Sequence, residues 1–279
     1  MSRKRVLALF SVFVAFGVLL VLAASLRKHP GVVVERDLTY GTAGATELKL
    51  DLAMPKEGSG PFPAIVFLHG EGWRAGNRRQ MSHFIEGVAR MGYVGVTVEY
   101  RLVPAARFPA QVEDCKAALR WLRANAGKYR VDPGRIGVVG FSAGGHLAAM
   151  LGVTGENVQA VVSFFGPTDF STRDWPRDLE REVIVPFLGG SFADIPAVYE
   201  RASPISHVTK DSAPFLLFHG SEDELVPVDQ SKRLAERLKS FGVPVRLVVL
   251  EGEKHGFTDA HNQECMKQMM AFLGERLKR

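Results

Sequence analysis

Apolar and polar positions in this chain follow two periods that take turns along its length. Six runs are apolar at nearly every position: Ala64–Leu68, Tyr93–Val98, Ile136–Val139, Ala160–Phe165, Phe215–Phe218 and Val245–Leu250. A strand covered on both faces loses the polar–apolar alternation, so these runs predict buried strands of a parallel sheet. Val32–Val34 and Glu47–Leu52 read as opening strands, the second alternating as a half-exposed antiparallel strand should. Pro30 to about Asp37 reads as a short connector, and Met54–Pro63, with its Pro, Gly and Ser, as a turn. Helical periodicity covers Met81–Met91, Ala110–Ala124, Gly145–Leu151, Pro227–Phe241 and Gln263–Leu277. Strand and helix alternating in this way predict one α/β domain over 30–279, a mostly parallel sheet of about eight strands with helices on both faces. The stretch Thr168–Ala213 breaks the alternation and carries Trp175, Phe187, Phe192 and Tyr199. It is long for a plain connection and is expected to form a small cap with short helices. In open α/β sheets ligands bind at the carboxyl ends of the strands, so the loops there are searched first for chemistry.

The first 29 residues stand apart. Ser2-Arg3-Lys4-Arg5 precedes Val6–Ser25, a run of 20 residues without a charge. As a helix it would span about 30 Å, enough for a membrane anchor. Ala23-Ala24-Ser25 also offers small residues for cleavage of an export signal. Residues 1–29 are therefore expected to be a membrane-contacting anchor or a cleaved signal, with the catalytic body outside the cytoplasm. The formal charge of +5 is carried by Arg3, Lys4, Arg5, Arg27 and Lys28 alone. A charge-balanced body without basic blocks gives no electrostatic footprint for nucleic acid. Export would permit disulfides, but only Cys115 and Cys265 are present, and they are expected to be buried thiols on helices at opposite faces of the sheet.

The pentapeptide Gly140-Phe141-Ser142-Ala143-Gly144 follows one buried strand and opens a helix. Such a strand, sharp turn and helix lift a serine hydroxyl above the sheet, which makes Ser142 a candidate nucleophile. Three other strand ends carry polar groups: His69-Gly70-Glu71-Gly72-Trp73, His219-Gly220-Ser221-Glu222-Asp223 and Glu251-Gly252-Glu253-Lys254-His255-Gly256-Phe257. A neutral serine needs a base to take its proton, and the base needs an acid to fix its tautomer. Serine, aspartate and histidine occur here in the chain order of serine hydrolases built on an α/β sheet.

On these motifs the chain resembles the α/β-hydrolase superfamily, and within it the esterases and lipases with an HGGGW-type loop, a GxSxGG elbow, an acid in HGxxDxxVP and a late HGF histidine. The resemblance runs over about residues 37–278 and includes Tyr100-Arg101-Leu102, Phe108-Pro109-Ala110, Asp132–Ile136 and Ala202–Ile205. Bacterial carbohydrate esterases and feruloyl-esterase-like proteins are the most similar subgroup. The resemblance implies an α/β-hydrolase fold, Ser142 as nucleophile, His255 as base and Asp223 as acid. His261 is expected to be an exposed polar residue, and Glu222 and Glu224 solvated loop charges.

Attack on an ester carbonyl creates an oxyanion, which pre-aimed backbone N–H groups stabilise by about 3 kcal/mol per donor. Ala143 N–H is one expected donor, and the resemblance places the others in the His69–Trp73 loop, at Glu71 and Gly72. Glu71 departs from the family, which usually has glycine there. A carboxylate aimed at the hole would repel the oxyanion, so its side chain is expected to turn away, towards Arg74 or Arg78. His69 and His219 are expected to orient their turns, and His146 to pack. Neither metal-ligand spacing nor a GxGxxG helix start is present, so no metal and no cofactor is expected.

The sequence thus points to an exported serine carboxylesterase acting on acetyl or feruloyl esters of carbohydrates through an acyl-enzyme. A prolyl-oligopeptidase-like peptidase, or an inactive hydrolase-like binding protein, are the alternatives. Oligomeric state leaves no mark in the sequence.

Overall fold

A computed structural model describes residues 31–278 apart from Arg173. Eight strands form one sheet: β1 Val32–Ala43, β2 Thr46–Pro55, β3 Phe62–Leu68, β4 Val94–Val98, β5 Val131–Phe141, β6 Ala160–Phe164, β7 Phe215–Gly220 and β8 Val245–Leu250. Their order is β1-β2-β4-β3-β5-β6-β7-β8. β1 pairs antiparallel with β2, and β2 with β4, while every later pairing is parallel. The main helices are α1 Ser82–Arg90, α2 Ala110–Ala124, α3 Ala143–Val153, α4 Asp229–Ser240 and α5 Asp259–Leu277.

The absence of alternation in the central strands has the expected cause. In β3, Ala64, Val66 and Leu68 enter one core while Ile65 and Phe67 enter the other. Helices α2, α3 and α4 cover the first core, and α1 and α5 the second. Cys115 and Cys265 are free, buried and on opposite sides, as expected.

One expectation is overturned at the start. The supposed connector up to Asp37 belongs to β1, which pairs with β2 through two irregularities, at Glu35/Leu38 and Thr39/Gly41. Bulges interrupt the period of two, so the polar positions of an edge strand look like a linker. Asp37, at φ 58°, sits in the first of them, and its N–H donates to Asp51 Oδ1 at 2.8 Å. The expected N-terminal anchor or signal, 1–29, lies outside the described residues. Among the described residues no helix is long and apolar enough to cross a membrane.

A charge cluster centred on the buried Arg78–Asp51 pair fastens the chain between β3 and α1 to the antiparallel end of the sheet. Arg78 Nε donates to Asp51 Oδ1 at 2.9 Å, and the other guanidinium nitrogens reach Glu99 and Asp37. Asp51 is fully buried. Removing one partner of such a pair leaves a charge in the core, so Arg78→Ala should cost about 3–5 kcal/mol of stability. Urea unfolding followed by circular dichroism measures this, and an unchanged midpoint contradicts it.

In the stretch after β6, Arg177–Leu179, Glu180–Ile184 and Val185–Leu188 follow one another without a break, and Pro196–Ala202 adds another helix. Pro186 lacks the N–H that would bond to the Glu182 carbonyl four residues earlier. The segment widens into a π turn there, with Val185 N–H bonded to Glu180 O. The Glu182 carbonyl accepts instead from Arg74, at 2.7 Å.

Candidate active site

β3 and β5 are neighbours in the sheet, and the chain leaves β3 towards β4 on one side while β5 and β6 continue on the other. Their carboxyl ends form a topological switch point, where loops diverge and leave a crevice. The His69–Trp73 loop and Ser142 therefore face each other.

Ser142 has φ 52° and ψ −117°, a backbone state that costs a non-glycine residue about 1–3 kcal/mol and persists only where its surroundings enforce it. The enforcement is visible at its two flanking glycines. A Cβ on Gly140 would overlap the Gly144 carbonyl, and one on Gly144 would overlap the Leu68 and His69 carbonyls. Strand, elbow and helix close to backbone contact there, and Ser142 is held above the sheet.

Ser142 Oγ lies 2.8 Å from His255 Nε2, and His255 Nδ1 lies 2.7 Å from Asp223 Oδ2. A carboxylate can only accept, so His255 carries its hydrogen on Nδ1 and leaves Nε2 free to accept from the serine. Asp223 is fixed in turn: its Oδ1 accepts from Leu225 N–H and Val226 N–H, each at 2.9 Å. Burial alone would raise the Asp223 pKa. The facing His255, together with hydrogen bonds from His219 and His255, outweighs burial and holds the carboxyl far below the usual carboxylate range.

The His69–Trp73 loop has three consecutive residues at positive φ: Glu71 at 70°, Gly72 at 62° and Trp73 at 58°. Its turn closes through Arg74 N–H and Ala75 N–H, both bonded to Glu71 O at 3.3 Å, so closure does not consume the Gly72 and Trp73 N–H groups. Gly72, Trp73, Ser142, Ala143 and His255 line one cleft, which Trp175, Leu179, Val183 and Ile184 cover. The Trp73 ring anchors this loop by stacking on Phe187, with centroids 4.0 Å apart.

The Glu71 side chain turns away from the cleft, but not to the partners expected of it. Its Oε1 accepts from Gln80 Nε2. Arg78 is occupied by Asp51, Glu99 and Asp37, and Arg74 by the carbonyl that Pro186 leaves without a donor. A sequence reading that seeks ion pairs misses a competition settled by a proline more than a hundred residues away.

The remaining histidines are distributed as their packing requires. His69 lies flat against Tyr100, with centroids 4.3 Å apart, and the Tyr100 hydroxyl donates to His69 O at 2.8 Å. His146 sits among Trp73, Phe170 and Phe187, with Nε2 2.8 Å from Ala202 O. Burial pushes both imidazoles down to about 4, so both are neutral at neutral pH. Glu222 and Glu224 are exposed.

Two contacts went unread in the sequence. His219 does more than orient its turn: its Nε2 donates to Val226 O at 2.8 Å and also stands 3.3 Å from Asp223 Oδ2. Ser231 Oγ, 2.7 Å from Nδ1, fixes that tautomer from α4. Glu253 is buried below the His255 loop, where its carboxylate accepts from Thr258 N–H at 3.0 Å and meets His261. His261 is exposed, as expected, yet partnered. The signal for both was a polar residue fixed beside a site residue in a turn, which sequence alone does not distinguish from solvated loop charge. Among the described residues no group of three or more His, Cys, Asp or Glu could hold a metal ion.

Comparisons with known proteins agree with this architecture. Esterase LipC of Mycobacterium tuberculosis is 34% identical over 253 residues, covering 82% of this chain and 61% of LipC. The probable carboxylic ester hydrolase LipM of the same organism is 29% identical, covering 88% of this chain and 63% of LipM. The chain thus spans about six tenths of the length of these curated relatives. Among solved structures, a truncated carbohydrate esterase from gut microbiota superposes with a TM-score of 0.79 at 28% identity, over 90% of this chain and 98% of that one. A thermophilic esterase from Thermogutta terrifontis gives 0.74 at 28% identity, over 89% and 93%. The BD-FAE family model matches residues 50–238. An α/β-hydrolase sheet, a serine elbow at its switch point and that match lead to one conclusion: the chain belongs to the BD-FAE family, within the α/β-hydrolase esterase group.

Proposed function

We propose that this protein is a serine carboxylesterase in which Ser142 attacks the carbonyl carbon of an ester. His255 takes the serine proton through Nε2 and passes it to the leaving alcohol, and Asp223 holds the imidazole tautomer and stabilises its cation. Water then cleaves the acyl-enzyme by the same machinery. The N–H groups of Ala143, Gly72 and Glu71 are the proposed oxyanion donors. The observation that carries this reading is the continuous hydrogen-bonded line Ser142 Oγ to His255 Nε2, at 2.8 Å, and His255 Nδ1 to Asp223 Oδ2, at 2.7 Å. The esterase names of LipC and LipM support the reaction class.

The proposed substrates are short acyl esters, acetyl or feruloyl, of carbohydrates. The carbohydrate esterase among the structural neighbours supports this choice of alcohol. A screen of acetylated and feruloylated saccharides against simple p-nitrophenyl esters tests it: faster turnover of saccharide esters at matched acyl group is the expected result, and preference for simple esters contradicts it. The proposed location is outside the cytoplasm, tethered or released according to whether residues 1–29 are retained. The intact mass of the protein recovered from cells decides between the two.

A further inference from the structure

Two imidazoles face one carboxylate in this site, and only one of them reaches the serine. His219, near the end of β7, is fully buried. Its Nε2 stands 2.8 Å from Val226 O and 3.3 Å from Asp223 Oδ2. A carbonyl and a carboxylate can only accept, so the ring hydrogen sits on Nε2, and Nδ1 accepts from the Ser231 hydroxyl at 2.7 Å. Val226 closes a circuit, because its own N–H donates to Asp223 Oδ1 at 2.9 Å. His219 thereby meets the acid at both oxygens. It pins the turn that donates to Oδ1, and it stands beside Oδ2, the oxygen 2.7 Å from His255 Nδ1.

The backbone around this circuit is locked. Ser221 N–H donates to Leu250 O and Glu222 N–H to Glu253 O, each at 2.9 Å, which joins the acid turn to the loop carrying His255. A Cβ on Gly220 would overlap the Glu253 carbonyl, so the two segments pack at backbone contact. What this frame leaves to side chains is the direction of the carboxylate and the charge on Oδ2. An N–H dipole beside Oδ2 weakens its hold on the cation that His255 becomes when it takes the serine proton. The other ionisable groups nearby turn elsewhere. Glu222 and Glu224 on the acid turn and Lys254 on the base loop are exposed, and Asp229 at the start of α4 pairs with Lys232. The Glu253 carboxylate is taken by Thr258 and His261.

Resting on the esterase reading of Ser142, we infer that His219 is a positioning residue of the active site. It holds the Asp223 carboxylate towards His255 and moderates its pull on that ring, and so helps to set the pH at which the base begins to work. The test follows kcat and KM for p-nitrophenyl acetate across about pH 5 to 9 in the full chain. His219→Asn keeps an acceptor for Ser231 but ends short of Val226 O and Asp223. His219→Gln carries an amide N–H as many bonds from the backbone as Nε2. Without the N–H, Oδ2 holds the His255 cation more strongly and the base stays protonated to higher pH. The Asn variant is therefore expected to lose about tenfold in kcat with KM unchanged. Its acid limb of kcat/KM should move up by about 0.5 in pH, and the Gln variant should restore both. An acid limb that stays in place or moves down in the Asn variant, or a Gln variant no better than Asn, reduces His219 to packing and overturns the inference. Should melting curves show that the Asn variant does not fold, NMR of wild type with nitrogen-labelled histidine decides. The hydrogen of His219 is expected on Nε2, and finding it on Nδ1 overturns the inference. Equal rates for wild type and Ser142→Ala would overturn the esterase reading itself, whereas turnover that needs Ser142 but ignores His219→Asn overturns the role of His219 alone.

Discussion

Replacing Ser142 by alanine should lower the hydrolysis of p-nitrophenyl acetate and butyrate by about four to six orders of magnitude, with the fold unchanged. The loss is large because serine, histidine and aspartate act as one unit, and the remaining oxyanion donors can only assist attack by water. The fold should survive because the Ser142 hydroxyl hydrogen-bonds to His255, and alanine meets much the same cost at φ 52° as serine does. Melting curves of the two proteins should therefore coincide within a few degrees, about what a change below 1 kcal/mol produces in a domain of this size. Equal rates would remove the proposed nucleophile.

Asp223→Asn should cost about 10⁴-fold in kcat. The reason lies in the two oxygens of Asp223. Oδ1 accepts from two backbone N–H groups, so the amide oxygen of asparagine must stay there. Its NH2 group is then turned to His255 Nδ1, in place of the oxygen now 2.7 Å away. A donor facing Nδ1 drives the ring hydrogen to Nε2, where it points at the serine and blocks proton abstraction. The same substitution changes the acid limb of stability. A carboxyl whose pKa is depressed in the folded protein contributes stability that is fully present above the unfolded value, about 3.9, and lost as pH falls through the folded one. Wild type should therefore lose more stability than Asp223→Asn as pH drops below about 4, measured by urea unfolding at each pH. Parallel acid limbs would contradict that.

Much of this architecture was legible because burial erases alternation. The central strands showed as unbroken apolar runs, and α2 appears with the bounds Ala110–Ala124 that its periodicity marked. The strand order was not legible, since parallel pairing depends on contacts between distant segments that no local pattern records. β1 was cut short because its bulges disrupt the period of two at Glu35 and Thr39. At the site, motifs at strand ends brought Ser142, Asp223 and His255 into one hypothesis, because glycines and polar residues following apolar strands leave a sharp local signature. The tertiary partners of those residues left none. His219 reaches Asp223 through the geometry of its own turn, and Glu71 bonds to Gln80 because both arginines that could pair with it are held elsewhere.

The central claim is that an acyl group passes through Ser142. Rapid quenching of the full-length protein with a slowly deacylating p-nitrophenyl ester, followed by peptide mass spectrometry, tests it most directly. One acyl adduct per chain is expected on the peptide containing Ser142, formed as fast as the initial burst of nitrophenol and absent from Ser142→Ala. An adduct on another residue, or continued turnover with Ser142 never modified, would contradict it.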